Sequence, residues 1–397
     1  MQTVDSLSTS DIVQQEDTFQ LPTYNKMPMA LVRGEGCTVW DADGRAYLDF
    51  YGGHCVTILG HCPPRVVAAI QEQASQLLFY SNVVYSPVRA EAATRLATMA
   101  PDGLGHVFFC NSGTEANETA LKLARTVTGK TGVLAMEQGF HGRTLGSLAT
   151  TWAKKYRAPF SDVLPTTTFV PFGDAEAAAQ ALADNPDIAA VLLEPIQSMA
   201  GMAVAPDAYF QRLRTLCDEH GALLIFDEVQ TGVGRTGTFS ISQQLGLTPD
   251  LITMAKSLAT GVPIGAVLAA DAVAETVRHG DQGTTFGGGM LAMAAVQATL
   301  DTITDDGLMD RAPHIYQRIH EDLTPLPGVV EVRGRGCLIG VELDRPAAPV
   351  LAALRDHGIL AGGAVPPTVI RLMPPLITPD DALDTLVEAF ATVLNTG

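Results

Sequence analysis

Three short stretches of the chain bring together residue types that can do chemistry. The first, Asn111-Ser-Gly-Thr-Glu-Ala-Asn-Glu118, follows an apolar run and opens an amphipathic one. Ser112 and Glu115 have capping-box spacing, so part of the stretch is helix initiation. Gly113 and Thr114 add backbone N–H groups and a hydroxyl at the positive end of a helix dipole, where a phosphate can sit. In the second, Ala222-Leu-Leu-Ile-Phe-Asp-Glu-Val-Gln230, an apolar strand ends in two carboxylates, Asp227 and Glu228. A carboxylate there is desolvated unless a cation, a ligand or a metal meets it. The third places Lys256 after Leu251-Ile-Thr-Met-Ala; among the chain's lysines (Lys26, Lys122, Lys130, Lys154, Lys155, Lys256) only this one ends an apolar strand. Apolar surroundings strip a lysine of its proton and leave a nucleophilic amine. Taken singly, each has an ordinary explanation: a helix cap, a salt bridge to a neighbouring helix, a lysine whose head reaches water.

The elements that must position these groups alternate in type. Strands are expected at His106–Cys110, Gly132–Met136, Ala189–Leu193, Ala222–Phe226, Leu251–Met254 and Ile264–Ala269, with helices at Thr114–Thr128 and Pro206–His220, the latter ended by Gly221. Strands separated by helical crossovers imply parallel pairing and a sheet covered on both faces, which binds ligands at its carboxyl ends. All three motifs lie at such ends. A phosphate seat, a carboxylate and a desolvated lysine side by side meet the needs of pyridoxal phosphate: lysine for the aldehyde, helix end for the phosphate, carboxylate for the pyridine nitrogen. A metal reading is weaker, because His54, His61 and His141 lack ligand spacing. Around this centre, residues 31–51 alternate about Asp43-Gly44 as a hairpin would, and residues 329–344 repeat that character about Gly334 and Gly336. These flanks read as smaller α/β units packed on the central domain.

Composition bounds the function from outside. With 397 residues, 47% of them apolar, the chain can bury a large core. Twenty-five Lys and Arg against 43 Asp and Glu leave a net charge of −18 with no basic tract, which argues against nucleic acid and anionic membranes as partners. The longest apolar runs are too short to span a bilayer. Residues 1–20 have neither an apolar signal core nor an Arg-rich helix, and six scattered cysteines without Cys-x-x-Cys fit free thiols, so a cytoplasmic location is expected.

The motifs in combination resemble those of class III (ornithine/acetylornithine-type) aminotransferases of the fold-type I pyridoxal-phosphate superfamily, from about Leu21 to Val393. The resemblance rests on Asn111–Glu118, Phe140-His-Gly-Arg-Thr144, Glu194-Pro-Ile-Gln197, Asp227–Gln230, Gly234-Arg-Thr-Gly237, Lys256, Gly283-Thr-Thr-Phe-Gly-Gly288 and Arg371-Leu-Met-Pro-Pro375. It implies a large domain with a mostly parallel sheet (residues 71–289) and a smaller α/β domain built from residues 1–70 and 290–397. It assigns Lys256 to the covalent link with pyridoxal phosphate and Asp227 to the ring nitrogen. Ser112, Gly113 and Thr114 would hold the phosphate, Phe140 and Val229 would cover the two ring faces, and Gln230 would approach the ring hydroxyl. Thr285 would reach the phosphate from a partner subunit, which implies a homodimer with shared sites. Arg143, Thr284 and Arg371 become substrate-binding candidates, and Arg235 a structural residue of the loop after Asp227.

The chain also departs from the family. Ornithine and 4-aminobutyrate aminotransferases have Gly-Glu after Glu-Pro-x-Gln, and that glutamate pairs with the arginine matching Arg371; here the stretch reads Gln197-Ser-Met-Ala-Gly201, with Met199 in the acid's place. Free ornithine and 4-aminobutyrate are less attractive substrates in consequence. Gly289-Met290 stands for Asn-Pro, and Tyr51-Gly-Gly-His-Cys-Val for a run of small residues near the substrate entrance. The expected reaction is ping-pong transfer of the terminal amine of an N-acylated ornithine to 2-oxoglutarate, as in arginine biosynthesis. A monocarboxylate acceptor such as pyruvate or glyoxylate, a carrier-linked lysine precursor, and racemase or lyase chemistry on the same cofactor stay open.

Overall fold

A computed structural model describes residues 7–395. Its centre is a seven-stranded sheet of β1 (His106–Cys110), β2 (Gly132–Met136), β3 (Thr167–Val170), β4 (Ile188–Leu193), β5 (Leu223–Asp227), β6 (Leu251–Met254) and β7 (Gly265–Ala269), in the order β1-β7-β6-β5-β4-β2-β3. Six strands run the same way; β7 pairs antiparallel with both β1 and β6. This corrects the expectation of parallel pairing for the last strand. Between Met254 and Gly265 lies only a short 3-10 turn, Lys256–Ala259, too little chain for a helical crossover. The edge strand β3 escaped the sequence reading, since its Thr-Thr-Phe-Val has no apolar run.

Alternation along the strands splits the core between the two faces of the sheet. On one face Ala190, Leu192, Ile225, Leu251 and Val267 pack against the apolar side of helix α1 (Gly113–Thr128), formed by Ala116, Ala120, Leu123 and Ala124. On the other, Leu193, Leu224, Phe226, Ile252 and Met254 meet Tyr209, Phe210 and Leu213 of helix α2 (Asp207–His220), which Gly221 ends at φ 58°. Covered on both faces, the sheet leaves its strand ends as the place for polar groups.

Two four-stranded sheets flank this core. Thr38–Asp41 and Ala46–Asp49 form the expected hairpin, with the Asp41 carboxylate accepting from the Asp43 and Arg45 N–H groups of the turn. A late strand, Ile359–Leu360, adds in parallel beside Ala46–Asp49 and ties the two ends of the chain together. The second sheet runs Val329–Arg335, Leu338–Leu343, Val369–Leu372, Gly362–Gly363. No helix among the described residues is long and apolar enough to cross a membrane.

Candidate active site

A cavity of about 440 Å³ opens at the carboxyl ends of β1, β5 and β6. Nine of the twelve residues singled out from the sequence line it: Ser112, Gly113, Thr114, Phe140, Arg143, Asp227, Val229, Gln230 and Lys256. Register explains how distant motifs meet. Asp227, the last residue of β5, pairs with Thr253 on β6, three residues before Lys256. Cys110 pairs with Gly265, which brings the start of α1 to the same end.

Asp227 is 4% exposed, and its carboxylate accepts three N–H bonds: Asn117 Nδ2 at 2.8 Å, His141 Nδ1 at 2.7 Å and its own loop's Val229 N at 3.1 Å. Asn117 is fixed in turn by Thr253 Oγ1, which donates to its side-chain oxygen, and by its own bond to the His141 carbonyl. Neither Asn117 nor His141 was singled out from the sequence as a site residue. A signal existed for Asn117, a polar residue set among the alanines of the buried face of α1. His141 shows its role only in three dimensions. A third omission is Glu194, which accepts from Phe140 N at 2.9 Å and whose carboxyl burial pushes up to about 7.

Lys256 begins the 3-10 turn with a left-handed backbone, φ 43°, sparsely populated for a residue with a side chain. Desolvation lowers the pKa of its ammonium, the charge of Arg371 adds to that, and Cys55, Asp227 and Glu194 oppose it. The outcome is an amine that gives up its proton more easily than a surface lysine.

Ser112 caps α1, its hydroxyl accepting from Glu115 N. The capping box is altered, however: Glu115 reaches back to Asn111 N and to the Ser112 hydroxyl rather than to Ser112 N. Close approach is built in by glycine. A Cβ on Gly113 would lie 2.9 Å from Val229 Cγ2, and one on Gly142, at φ 139°, would collide with Thr114 Oγ1. Thr114 Oγ1 is also within hydrogen-bond distance of Ser147 and Thr144.

These features fit pyridoxal phosphate. The buried Gln230 Oε1 has no partner among the described residues and is available to a ring hydroxyl. The start of α1 offers backbone N–H groups in a cradle that a side chain at Gly113 would fill, and Asp227 stands fixed with Lys256 beyond it. Of the remaining sequence candidates, Arg371 is buried outside the cavity lining, donating to Gly363 O at 2.6 Å and Ser198 Oγ at 2.9 Å. Thr284 does not line the cavity but stands behind its lining, its hydroxyl accepting from Asn111 Nδ2 and Gly287 N, and Thr285 is exposed. Arg235, fully buried, donates to Pro374 O and Ser257 Oγ and so ties the loop after Asp227 to the segment after Arg371.

Just before Val56, which lines the cavity, Gly52, Gly53, His54 and Cys55 all adopt left-handed backbone, including the two non-glycine residues. Asp49 holds this turn by accepting from Tyr51, Gly52 and Gly53 N–H groups. It presents His54, in contact with the Tyr51 hydroxyl, close to Lys256 and Arg371; crowding around the ring and those two charges push its pKa down to about 4.

A strand-end lysine, a held carboxylate and a phosphate cradle on a mostly parallel, doubly covered sheet define a pyridoxal-phosphate-dependent enzyme of fold type I. The chain belongs to the class III aminotransferases, whose family model matches residues 19–394. It is 45% identical over 380 residues to the acetylornithine aminotransferase of Methanopyrus kandleri, covering 95% of this chain and 97% of the relative. It is 41% identical over 385 residues to a [LysW]-aminoadipate semialdehyde transaminase of Deinococcus radiodurans, covering 96% and 89%. Among solved structures, the ornithine aminotransferase of Toxoplasma gondii ME49 superposes with a TM-score of 0.93 at 30% identity, covering 98% of this chain and 96% of the other. The acetylornithine aminotransferase of Elizabethkingia anophelis gives 0.86 at 28%, covering 99% and 100%. The enzyme is a transaminase.

Proposed function

We propose that the chain moves the terminal amine of an N-acylated ornithine, with N-acetylornithine as the lead donor, to 2-oxoglutarate. The observation that carries this reading is a pair of guanidinium groups, Arg143 on the cavity lining and Arg371 buried just outside it within the field of Lys256, neither of which forms an ion pair with a carboxylate among the described residues. Two cations without an ion-pair partner suit a donor and an acceptor that each bring carboxylate, and guanidinium matches carboxylate with a planar fork. Free ornithine would bring a second ammonium toward them; acylation removes that charge. The relatives named acetylornithine aminotransferase support the same choice.

In this reading Lys256 would hold the cofactor through Nζ, and the same Nζ would move a proton to and from the donor carbon. When bound, pyridoxal phosphate supplies an electron sink for the donor carbon. Asp227, oriented by Asn117 and His141, holds the ring nitrogen. Gly113 and Thr114 bind the phosphate with Ser112 as the cap, Phe140 and Val229 keep water from the ring faces, and Gln230 Oε1 accepts from the ring hydroxyl. Arg143 binds the donor's α-carboxylate and Arg371 that of the acceptor. Thr285 serves the partner's phosphate site in a homodimer, and Thr284 is the further substrate-binding residue.

The test is a panel of amines and oxo acids given to the holoenzyme. N-acetylornithine with 2-oxoglutarate should yield glutamate with a kcat/KM at least about tenfold above that for free ornithine, the scale set by leaving one like charge uncompensated. Donor alone should bleach the visible band, oxo acid should restore it, and Lys256→Ala should lose both. Faster turnover of ornithine or 4-aminobutyrate overturns the substrate reading, and turnover without an oxo acid the reaction class. A second reading, a donor linked to an acidic carrier, draws on exposed Lys154 and Lys155, which precede Tyr156, whose ring lies beside cavity-lining Arg143, in a chain of charge −18. Preference for a carrier-linked donor over N-acetylornithine would select it.

A further inference from the structure

Arg143 is exposed, lines the cavity and pairs with no carboxylate among the described residues, yet it is not loose. Its guanidinium carbon lies 3.5 Å from the centroid of the Tyr156 ring and 5.5 Å from that of Phe140. Tyr156 is half-buried in the short helix Lys154–Arg157 and does not line the cavity. The helix is itself anchored: Arg157 donates to Trp152 O at 3.0 Å and sits 4.6 Å from the ring centroid of Phe169 on β3. A chain of contacts therefore runs from the sheet edge through Arg157 and Tyr156 to Arg143.

An exposed arginine has a large rotamer entropy to lose when it grips a ligand. An ion pair would restrain it but would occupy the N–H edges that a carboxylate needs. A ring under its flat face restrains the plane and leaves those edges free. We propose that Tyr156 is a positioning residue, holding the Arg143 fork ready for the donor carboxylate and so setting the preference for carboxylate-bearing donors. The proposal rests on the reading of Arg143 given above.

Tyr156→Leu and Tyr156→Gln both remove the ring, and Tyr156→Phe keeps it. Removing the ring should raise the KM for N-acetylornithine about three- to tenfold, the range of a partly exposed cation–π contact, with kcat unchanged within about twofold. The Kd of N-acetylnorvaline, which has the carboxylate but no side-chain amine, should weaken by the same factor in calorimetry. Tyr156→Phe should behave as native in both assays. Turnover of a simple alkyl monoamine should not respond, and Tyr156→Leu should add nothing to Arg143→Ala. The proposal is overturned if Arg143→Ala weakens N-acetylnorvaline while neither ring-removing variant does, or if ring removal tightens binding. Unaltered binding in Arg143→Ala overturns the reading of Arg143 itself, and the role of Tyr156 with it.

Discussion

Arg371 is restrained by neutral groups, in contrast to the stacked Arg143. Its partners are the Ser198 and Tyr51 hydroxyls and the Gly363 carbonyl, and the next residue, Met199, accepts from Val365 N on the same loop. Burial lowers the pKa of the guanidinium, yet arginine titrates so far above neutrality that it stays charged. With no carboxylate paired to it and only the field of Glu194 against it, the charge stays available to an incoming oxo acid. Met199→Glu would supply the missing anion. The expected result is a rise of about tenfold in KM for 2-oxoglutarate, since a charge-assisted fork must then be broken before the acceptor binds. The KM for N-acetylornithine should change much less. Steady-state kinetics with each substrate varied separately decide this, and an unaltered 2-oxoglutarate KM would remove Arg371 from the acceptor site.

At the scale of elements, what could be read in advance was whatever depended on neighbours in sequence. The strand-end motifs qualified, because an apolar run followed by Asp227 or Lys256 declares both the element and where it stops. The Asn117–Asp227–His141 cluster did not, because it depends on β5 lying beside β6 and on α1 crossing both. The reversed strand β7 was legible in hindsight from the short link that precedes it; the polar edge strand β3 was not. Glu228 shows how one position can look functional and serve an element instead. It stands beside Asp227, but its carboxylate accepts from Ile241 N, Thr231 Oγ1 and the Ser240 hydroxyl at the start of helix Ile241–Leu245. Burial without a cation pushes it up to about 7 from an ordinary 4.5. A carboxyl raised on folding contributes stability fully below its unfolded pKa and loses it as pH climbs through the folded one. Stability linked to Glu228 should therefore decline between about pH 4.5 and 7. Urea unfolding of Glu228→Gln should show a shallower fall in midpoint from pH 5 to 8 than the native chain. Parallel pH profiles would contradict the assignment.

For the molecule as a whole, the unanswered feature is an apolar surface that one chain leaves open. Leu77, Leu78, Phe79, Tyr80, Val83, Val84 and Tyr85 are all exposed, and Phe79 meets the exposed Phe286 at 5.2 Å between ring centroids. Asn82 Nδ2 donates to Gly287 O, so this segment and the loop carrying Thr284 and Thr285 are tied into one surface. Monomers seldom leave such a patch in water, and its burial would offset the repulsion between two copies that each carry −18. A homodimer in which Thr285 completes the other chain's phosphate site follows from the proposed function. Light scattering should give twice 41.9 kDa for the native chain, and Phe79→Asp with Phe286→Asp should halve it and shed cofactor. Mixing separates a shared site from a merely adjacent one. Lys256→Ala chains and Thr285→Ala chains, denatured together and refolded, form mixed dimers. If Thr285 acts across the interface, each mixed dimer holds one site with native Lys256 and native Thr285, and cofactor affinity there returns to the native value. If Thr285 serves its own chain, every site with Lys256 keeps the weakened affinity of the Thr285→Ala parent, and the shared-site reading fails.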